Sequence, residues 1–226
     1  MSEYLLINIL IIIVPLAMSF EKQLKFYKNL PALIFSISVV GAVFIVWDAY
    51  AVVRGDWSFN SKYVLSYKLY NLPLEEILFF VTVPYASIFL YETAKVYLKN
   101  KPLNLSRAAF AYLSILFLGL AVIFWNQYYT ATVFIFISVF MLIVYIINPS
   151  FLRETIYWKW ILITYLPFFI VNYSLTSLPI VSYSSKAIWG IRITTIPLED
   201  FFYSFALLSL NLFFYLLVKD KWLAKK

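Results

Sequence analysis

The chain contains no cysteine and no histidine. Those absences remove disulfides, thiolate nucleophiles, haem or zinc held by imidazole, and histidine-rich di-iron sites. Glycine is scarce as well: Gly41, Gly55, Gly119 and Gly190 are the four present, and they are too scattered to write a G-x-G-x-x-G turn or a phosphate-cradling loop. A flavin or nucleotide site is therefore not expected. The four aspartates, Asp48, Asp56, Asp200 and Asp220, lie far apart, so the paired Asp motifs with which a membrane prenyltransferase would hold magnesium and diphosphate are missing. Neither a metal nor a cofactor is expected. Charged residues make up only 13% of the 226, too few to clothe a soluble globule.

What the chain has instead is apolar length. It is 64% hydrophobic and 21% aromatic, with a mean hydropathy of +0.86, which predicts an all-α polytopic membrane protein. The net charge of +7 does not point to nucleic acid, because the eighteen Lys and Arg fall in short runs between apolar stretches, as in membrane loops. Stretches long enough, or nearly so, to cross a bilayer run roughly Tyr4–Phe20, Leu30–Val53, Leu74–Leu98, Ala108–Trp125, Thr130–Ile147, Trp160–Leu178 and Leu198–Val218. Seven transmembrane helices follow. The first reads as a retained helix and not a signal peptide, since it starts with Glu3 in place of basic residues and offers no small-residue cleavage site before Glu21 and Lys22. Summed by side, the loops carry 5 basic residues on the amino-terminal face and 13 on the other, so the carboxy-terminus, with Lys219, Lys221, Lys225 and Lys226, is expected in the cytoplasm. Cell membranes of bacteria or archaea are the expected location.

One pattern organises the rest. Asn71-Leu72-Pro73-Leu74-Glu75-Glu76 is matched by Thr195-Ile196-Pro197-Leu198-Glu199-Asp200, and the interval between the prolines is 124 residues. Without a gap, the same shift pairs Asp48 with Asn172, Ser61 with Ser185, Lys62 with Lys186, Lys68 with Arg192 and Tyr91 with Tyr215. Such agreement in one register indicates an internal duplication. It carries helices 1, 2 and 3 onto 5, 6 and 7, which predicts two parallel three-helix repeats, residues 1–100 and 128–222, joined by a linker helix at 107–125 in a 3+1+3 arrangement within one membrane domain. Both acidic motifs then lie at the same depth, toward the non-cytoplasmic side, around a shared cleft. Pro15, Pro84 and Pro167 fall inside helices and are expected to kink them.

The acids have an ordinary reading: Asn71 and Thr195 as caps, proline at the helix start, and carboxylates complementing the positive end of the helix dipole. Against it stands the recurrence of both acids, with Asp48 and Asn172 near the same level. An ionisable group deep in a membrane segment costs roughly 2.5–3.5 kcal/mol on insertion scales, so it usually has a task or a partner. A carboxyl facing an apolar cleft loses solvation and can stay protonated at neutral pH, which makes it a general acid, while a nearby carboxylate takes a proton away. The surrounding aromatics, among them Trp57, Tyr183, Trp189 and Tyr203, read first as an interfacial belt and second as faces that stabilise a carbocation. Glu92, near the opposite end, is expected to pair with Lys95 or Lys99.

Two Pro-Leu-Glu-(Glu/Asp) motifs opening helices 3 and 7 of a small seven-helix chain resemble the lycopene cyclases of the non-flavin type, here with both halves fused. The resemblance covers essentially the whole chain. It implies isomerisation of lycopene, a lipid-soluble polyene, to β-carotene within the membrane, with no cofactor. Carried onto this sequence it marks Glu75, Glu76, Glu199 and Asp200 as the acidic motif residues and Pro73 and Pro197 as their positioning residues. Glu75 and Glu199 are taken as proton donors, although the sequence does not decide between donor and acceptor. Asp48 is a further candidate as base or orienter, whereas Asn172 in the second half cannot serve as a base. Membrane lipid is the surrounding partner, and a homo-oligomer is compatible with the sequence. A small-solute transporter with parallel repeats and a cyclase of a longer carotenoid are the competing readings; a retinal photoreceptor is disfavoured because no lysine lies between Leu198 and Val218.

Overall fold

The computed structural model describes residues 1–223, with side chains as far as Lys219. Lys225 and Lys226 therefore lie outside the described residues, as does the side chain of Lys221. Seven α-helices form in the expected places: α1 (Glu3–Met18), α2 (Leu30–Arg54), α3 (Leu74–Tyr97), α4 (Arg107–Ile123), α5 (Tyr128–Ile147), α6 (Thr155–Ser177) and α7 (Leu198–Leu223). Five of them, all but α1 and α4, are long and apolar enough to cross a membrane. Large apolar side chains such as Leu10, Val14, Val46, Leu116, Leu162 and Ile170 stand exposed on the helix faces. Hydrocarbon can cover such faces where water would penalise them.

Local chemistry sets the helix ends. The Ser2 hydroxyl accepts the Leu5 amide at the start of α1, and the Ser106 hydroxyl accepts the Ala108 amide at the start of α4. At the far end of α5, Asn148 takes a left-handed conformation (φ 56°) and Arg107 donates to the carbonyls of Tyr145 and Ile146. Pro15, Pro84 and Pro167 do fall within α1, α3 and α6.

The connections into α3 and α7 depart from the all-helical expectation. Each contains a β-hairpin: β2 (Lys68–Leu69) with β3 (Leu72–Pro73), and β5 (Arg192–Ile193) with β6 (Ile196–Pro197). Two more strands, β1 (Trp57–Phe59) and β4 (Val181–Tyr183), pair with each other. Asn71 and Thr195 are therefore not helix caps. They occupy hairpin turns, where Tyr70 and Asn71 both have positive φ (48° and 67°) and Thr194 has φ 58°. Positive φ at both central residues is the mark of a two-residue type I′ turn, whose twist matches that of its strands. The helix start is satisfied by backbone instead: the Leu74 amide donates to the Tyr67 carbonyl and the Leu198 amide to the Ile191 carbonyl, at 3.0 and 2.9 Å. Pro73 and Pro197 each end a hairpin strand one residue before the helix, where a missing N–H costs nothing.

By contacts the chain forms two compact units. One holds Met1–Arg54, Phe59–Tyr97 and the chain from Leu207; the other holds Gly55–Ser58 and Leu98–Ala206. In the first, α3 packs against α1 and α2, and the Ser36 hydroxyl of α2 donates to the Asn211 carbonyl of α7 at 2.6 Å. Glu92 is not paired with Lys95 or Lys99. It accepts the Tyr215 hydroxyl and forms an ion pair with Lys219 at 2.7 Å, because the last turns of α7 reach its end of α3. In the second unit α4 packs on α5, pinned by Ser114 and Ser138, each of whose hydroxyls donates to the other's carbonyl.

Candidate active site

Each hairpin delivers two adjacent acids into the first turn of its helix, Glu75 and Glu76 in α3 and Glu199 and Asp200 in α7. Glu75 and Glu199 are almost fully enclosed, with 0% and 2% of their surface exposed. In both, Oε1 accepts two hydrogen bonds. Glu75 Oε1 takes the Ser2 hydroxyl at 2.5 Å and the Leu65 amide at 2.7 Å. Glu199 Oε1 takes the Thr130 hydroxyl at 2.5 Å and the Trp189 amide. The backbone donors, Leu65 and Trp189, are themselves 124 residues apart. In both acids the other oxygen, Oε2, is buried and receives no hydrogen bond among the described residues.

That division matters chemically. One oxygen held by two fixed donors and one held by none make the two ends of the carboxyl group unequal. An ordinary helix-capping carboxylate would spend its oxygens on the amides of its own first turn. Here Oε1 is instead tied to a loop and to the start of another helix, α1 or α5.

The second acids have different partners. Glu76 Oε2 accepts the Tyr4 hydroxyl at 2.5 Å, while Asp200 accepts Tyr129 on Oδ1 at 2.6 Å and Tyr183 on Oδ2 at 3.0 Å. Rings enclose these phenols: Tyr4 stacks on Phe59 and meets Phe79, and Tyr129 stacks on Tyr183 with their centroids 5.7 Å apart and is met edge-on by Trp57. The aromatic belt of the sequence reading thus includes members that touch the motif acids directly.

The helix preceding each site is also tied down. The Tyr4 amide donates to the Tyr63 carbonyl, and the Tyr129 amide to the carbonyl of Ala187. In the first unit Asn8 adds a bridge: its amide donates to the Glu75 carbonyl at 3.1 Å and its oxygen accepts the Thr82 hydroxyl at 2.7 Å. Thr132 and Ala206 stand at the matching positions, so this pair of side chains is not repeated there.

Asp48 is buried in α2, with 2% exposure. Asn172, its counterpart, is half-buried in α6 and donates back to the Phe168 carbonyl of its own helix. Ser2, Tyr4, Asn8, Tyr129 and Thr130 were not recognisable as site residues from the sequence, since the hydroxyls that hold the acids do not obey the 124-residue shift. Thr130 lies 128 residues after Ser2, and Tyr129 lies 125 after Tyr4. Tyr183 was visible only as one aromatic among many.

Comparison with known proteins places these residues in context. The model of the family described as "Lycopene cyclase" matches the chain twice, over residues 2–94 and 126–218. Both ends of the second match are displaced by the same interval, 126 − 2 and 218 − 94, which is the 124 residues separating the two prolines. Over 55 residues the chain is 36% identical to a protein named bifunctional lycopene cyclase/phytoene synthase from Pyrenophora tritici-repentis (strain Pt-1C-BFP). That alignment covers 24% of this chain and 9% of the fungal protein, so the chain spans only a small part of that relative's length. No solved structure matches.

Proposed function

Because this chain belongs to the lycopene cyclase family, we propose that it closes the end groups of lycopene to β-rings inside the membrane, by proton transfer between its own carboxyl groups and the polyene. The observation that carries this reading is the duplicated acid, Glu75 and Glu199, each with one oxygen fixed by two donors and the other buried without a hydrogen bond.

In the proposed reaction the Oε2–H of Glu75 or Glu199 adds its proton to the terminal double bond. One O–H bond breaks and one C–H bond forms, leaving a tertiary cation. The neighbouring double bond of the chain attacks that cation, forming the ring carbon–carbon bond and moving the charge onto the ring. Glu76 or Asp200 then removes a proton next to the charge, and the freed electron pair becomes the ring double bond. Proton gain and loss balance, so substrate and product have the same mass. The tyrosine hydroxyls that donate to Glu76 and Asp200 suit an acceptor carboxylate. Before the next turnover the proton must return from the second acid to the first, its neighbour in the chain. Facing aromatic rings stabilise a developing cation by about 0.5–2 kcal/mol each when well placed.

Residues 1–100 and 128–222 are proposed as the two parallel repeats, a fused form of the two-part enzymes, with α4 as connector. Pro73 and Pro197 place the acid pairs by ending the hairpins in register, and Asp48 is proposed as a peripheral orienter in the first repeat.

The test is expression in cells that accumulate lycopene, with chromatography and mass detection of the pigments. The chain should produce a pigment of unchanged mass that co-elutes with β-carotene. Glu75→Gln and Glu199→Gln keep size and hydrogen bonding but cannot deliver a proton; each is expected to slow conversion about 10²–10⁴-fold, the usual range for loss of a general acid. Untouched lycopene despite good membrane expression of the unaltered chain would refute the reading.

A further inference from the structure

The second acids of the two pairs have different surroundings, and one of the differences lies at an aligned position. Under the 124-residue shift Tyr183 corresponds to Phe59. Both rings stack on the tyrosine that donates to the second acid, Phe59 on Tyr4 and Tyr183 on Tyr129. Only the second ring carries a hydroxyl, and it donates to Asp200 Oδ2 at 3.0 Å. With Tyr129 on Oδ1, both oxygens of Asp200 are engaged from two sides. The Tyr183 ring is itself fixed, lying 10° from parallel to Tyr129, 6.1 Å from Trp57 and under the Arg192 guanidinium at 6.0 Å. A carboxylate tied at both oxygens cannot swing about its last side-chain bond.

We infer that Tyr183 is a specificity-determining positioning residue: by locking the Asp200 carboxylate it fixes which proton leaves the newly formed ring, and so which ring isomer the second half-site makes. This rests on the reading of Asp200 as proton acceptor. Protons on the carbons flanking the cation lie within a few ångströms of one another, and the isomer formed follows from which of them the base oxygen reaches first. A fixed oxygen selects one. In the first half-site Phe59 has no hydroxyl to offer, so the base there is oriented by other means, and the dependence on this position is confined to the second half.

The experiment compares the ring isomers, separated by chromatography and identified by nuclear magnetic resonance, made from lycopene by the unaltered chain and by Tyr183→Phe, both in isolated membranes. Phenylalanine is the residue the first half already carries at this place. The variant is expected to keep converting lycopene, while the overall ratio of the normal ring to all other isomers falls about fivefold: a loss of about tenfold in the second half-site, the equivalent of one lost hydrogen bond, diluted by the rings the first half-site still makes. Asp200→Glu is run in parallel, since one added methylene displaces the base without abolishing it; its isomer ratio should fall as well. If Tyr183→Phe fails to accumulate, Asp200→Glu decides. An isomer composition identical to that of the unaltered chain, in whichever variant accumulates and converts lycopene, would overturn the inference while leaving the cyclase reading intact. No cyclisation by the unaltered chain would overturn the cyclase reading and the inference with it.

Discussion

A buried carboxyl group is informative through what each of its oxygens touches. Glu75 and Glu199 are enclosed to the same degree and bonded in the same way, although the hydroxyl donors come from a serine in one half and a threonine in the other. If those hydroxyls hold Oε1 so that Oε2 points correctly, removing one should cost less than removing the acid. Ser2→Ala and Thr130→Ala, which leave the Leu65 and Trp189 amides in place, are expected to slow lycopene consumption in membranes about three- to tenfold, the equivalent of one hydrogen bond. A loss as large as that of the Gln variants would mean that the hydroxyl takes part in the chemistry. At this scale the sequence was half legible. The acids stood out because an ionisable pair in an apolar segment is rare and this one occurs twice. Ser2 and Thr130 could not stand out, since a serine near the start of one helix and a threonine within another signal nothing until the fold brings them to the same oxygen.

The element that sets the geometry is the hairpin in front of each acid pair, not the helix alone. Its tight turn places Pro73 opposite Lys68 and Pro197 opposite Arg192, and it supplies the carbonyl that binds the first helical amide. Asn71, at φ 67°, is there because asparagine tolerates the left-handed region that a branched side chain resists. Asn71→Val should therefore destabilise the detergent-solubilised protein by about 1–2 kcal/mol, while Asn71→Gly should fall within a few tenths of the original. Thermal unfolding followed by tryptophan fluorescence would check both. The same asparagine read as a helix cap in the sequence, because Asn before Pro-Leu-Glu-Glu satisfies the capping pattern. Backbone pairing across a turn two residues long leaves too weak a period to compete with that signal.

For the molecule as a whole, the apolar helix faces and the uneven basic loops make a prediction about direction. If all seven helices cross the membrane, 13 of the 18 basic residues fall on one side, and that side is expected to face the cytoplasm. The lack of native cysteine makes the test simple. Ser61→Cys, exposed in the connection between α2 and α3, should react with a membrane-impermeant maleimide added to intact cells, and Ser150→Cys, exposed between α5 and α6, should react only after the cells are opened. The reverse pattern would invert the proposed orientation.

Composition alone determined that this chain is helical and apolar, because so little charge and so much hydrocarbon leave no water-soluble alternative. A gapless shift of 124 residues found the duplication and both acid pairs, since residues fixed by the same chemistry keep the same spacing. The tertiary structure decided how each acid is held. Hydrogen bonds depend on where side chains meet in space, so Tyr129 serves Asp200 although the shift would have pointed to Tyr128. It also decided that Glu92 pairs across helices with Lys219 and not with a lysine of its own helix or the loop beyond it. Likewise it turned Phe59 and Tyr183 from two aromatics in a pattern into a difference between two sites.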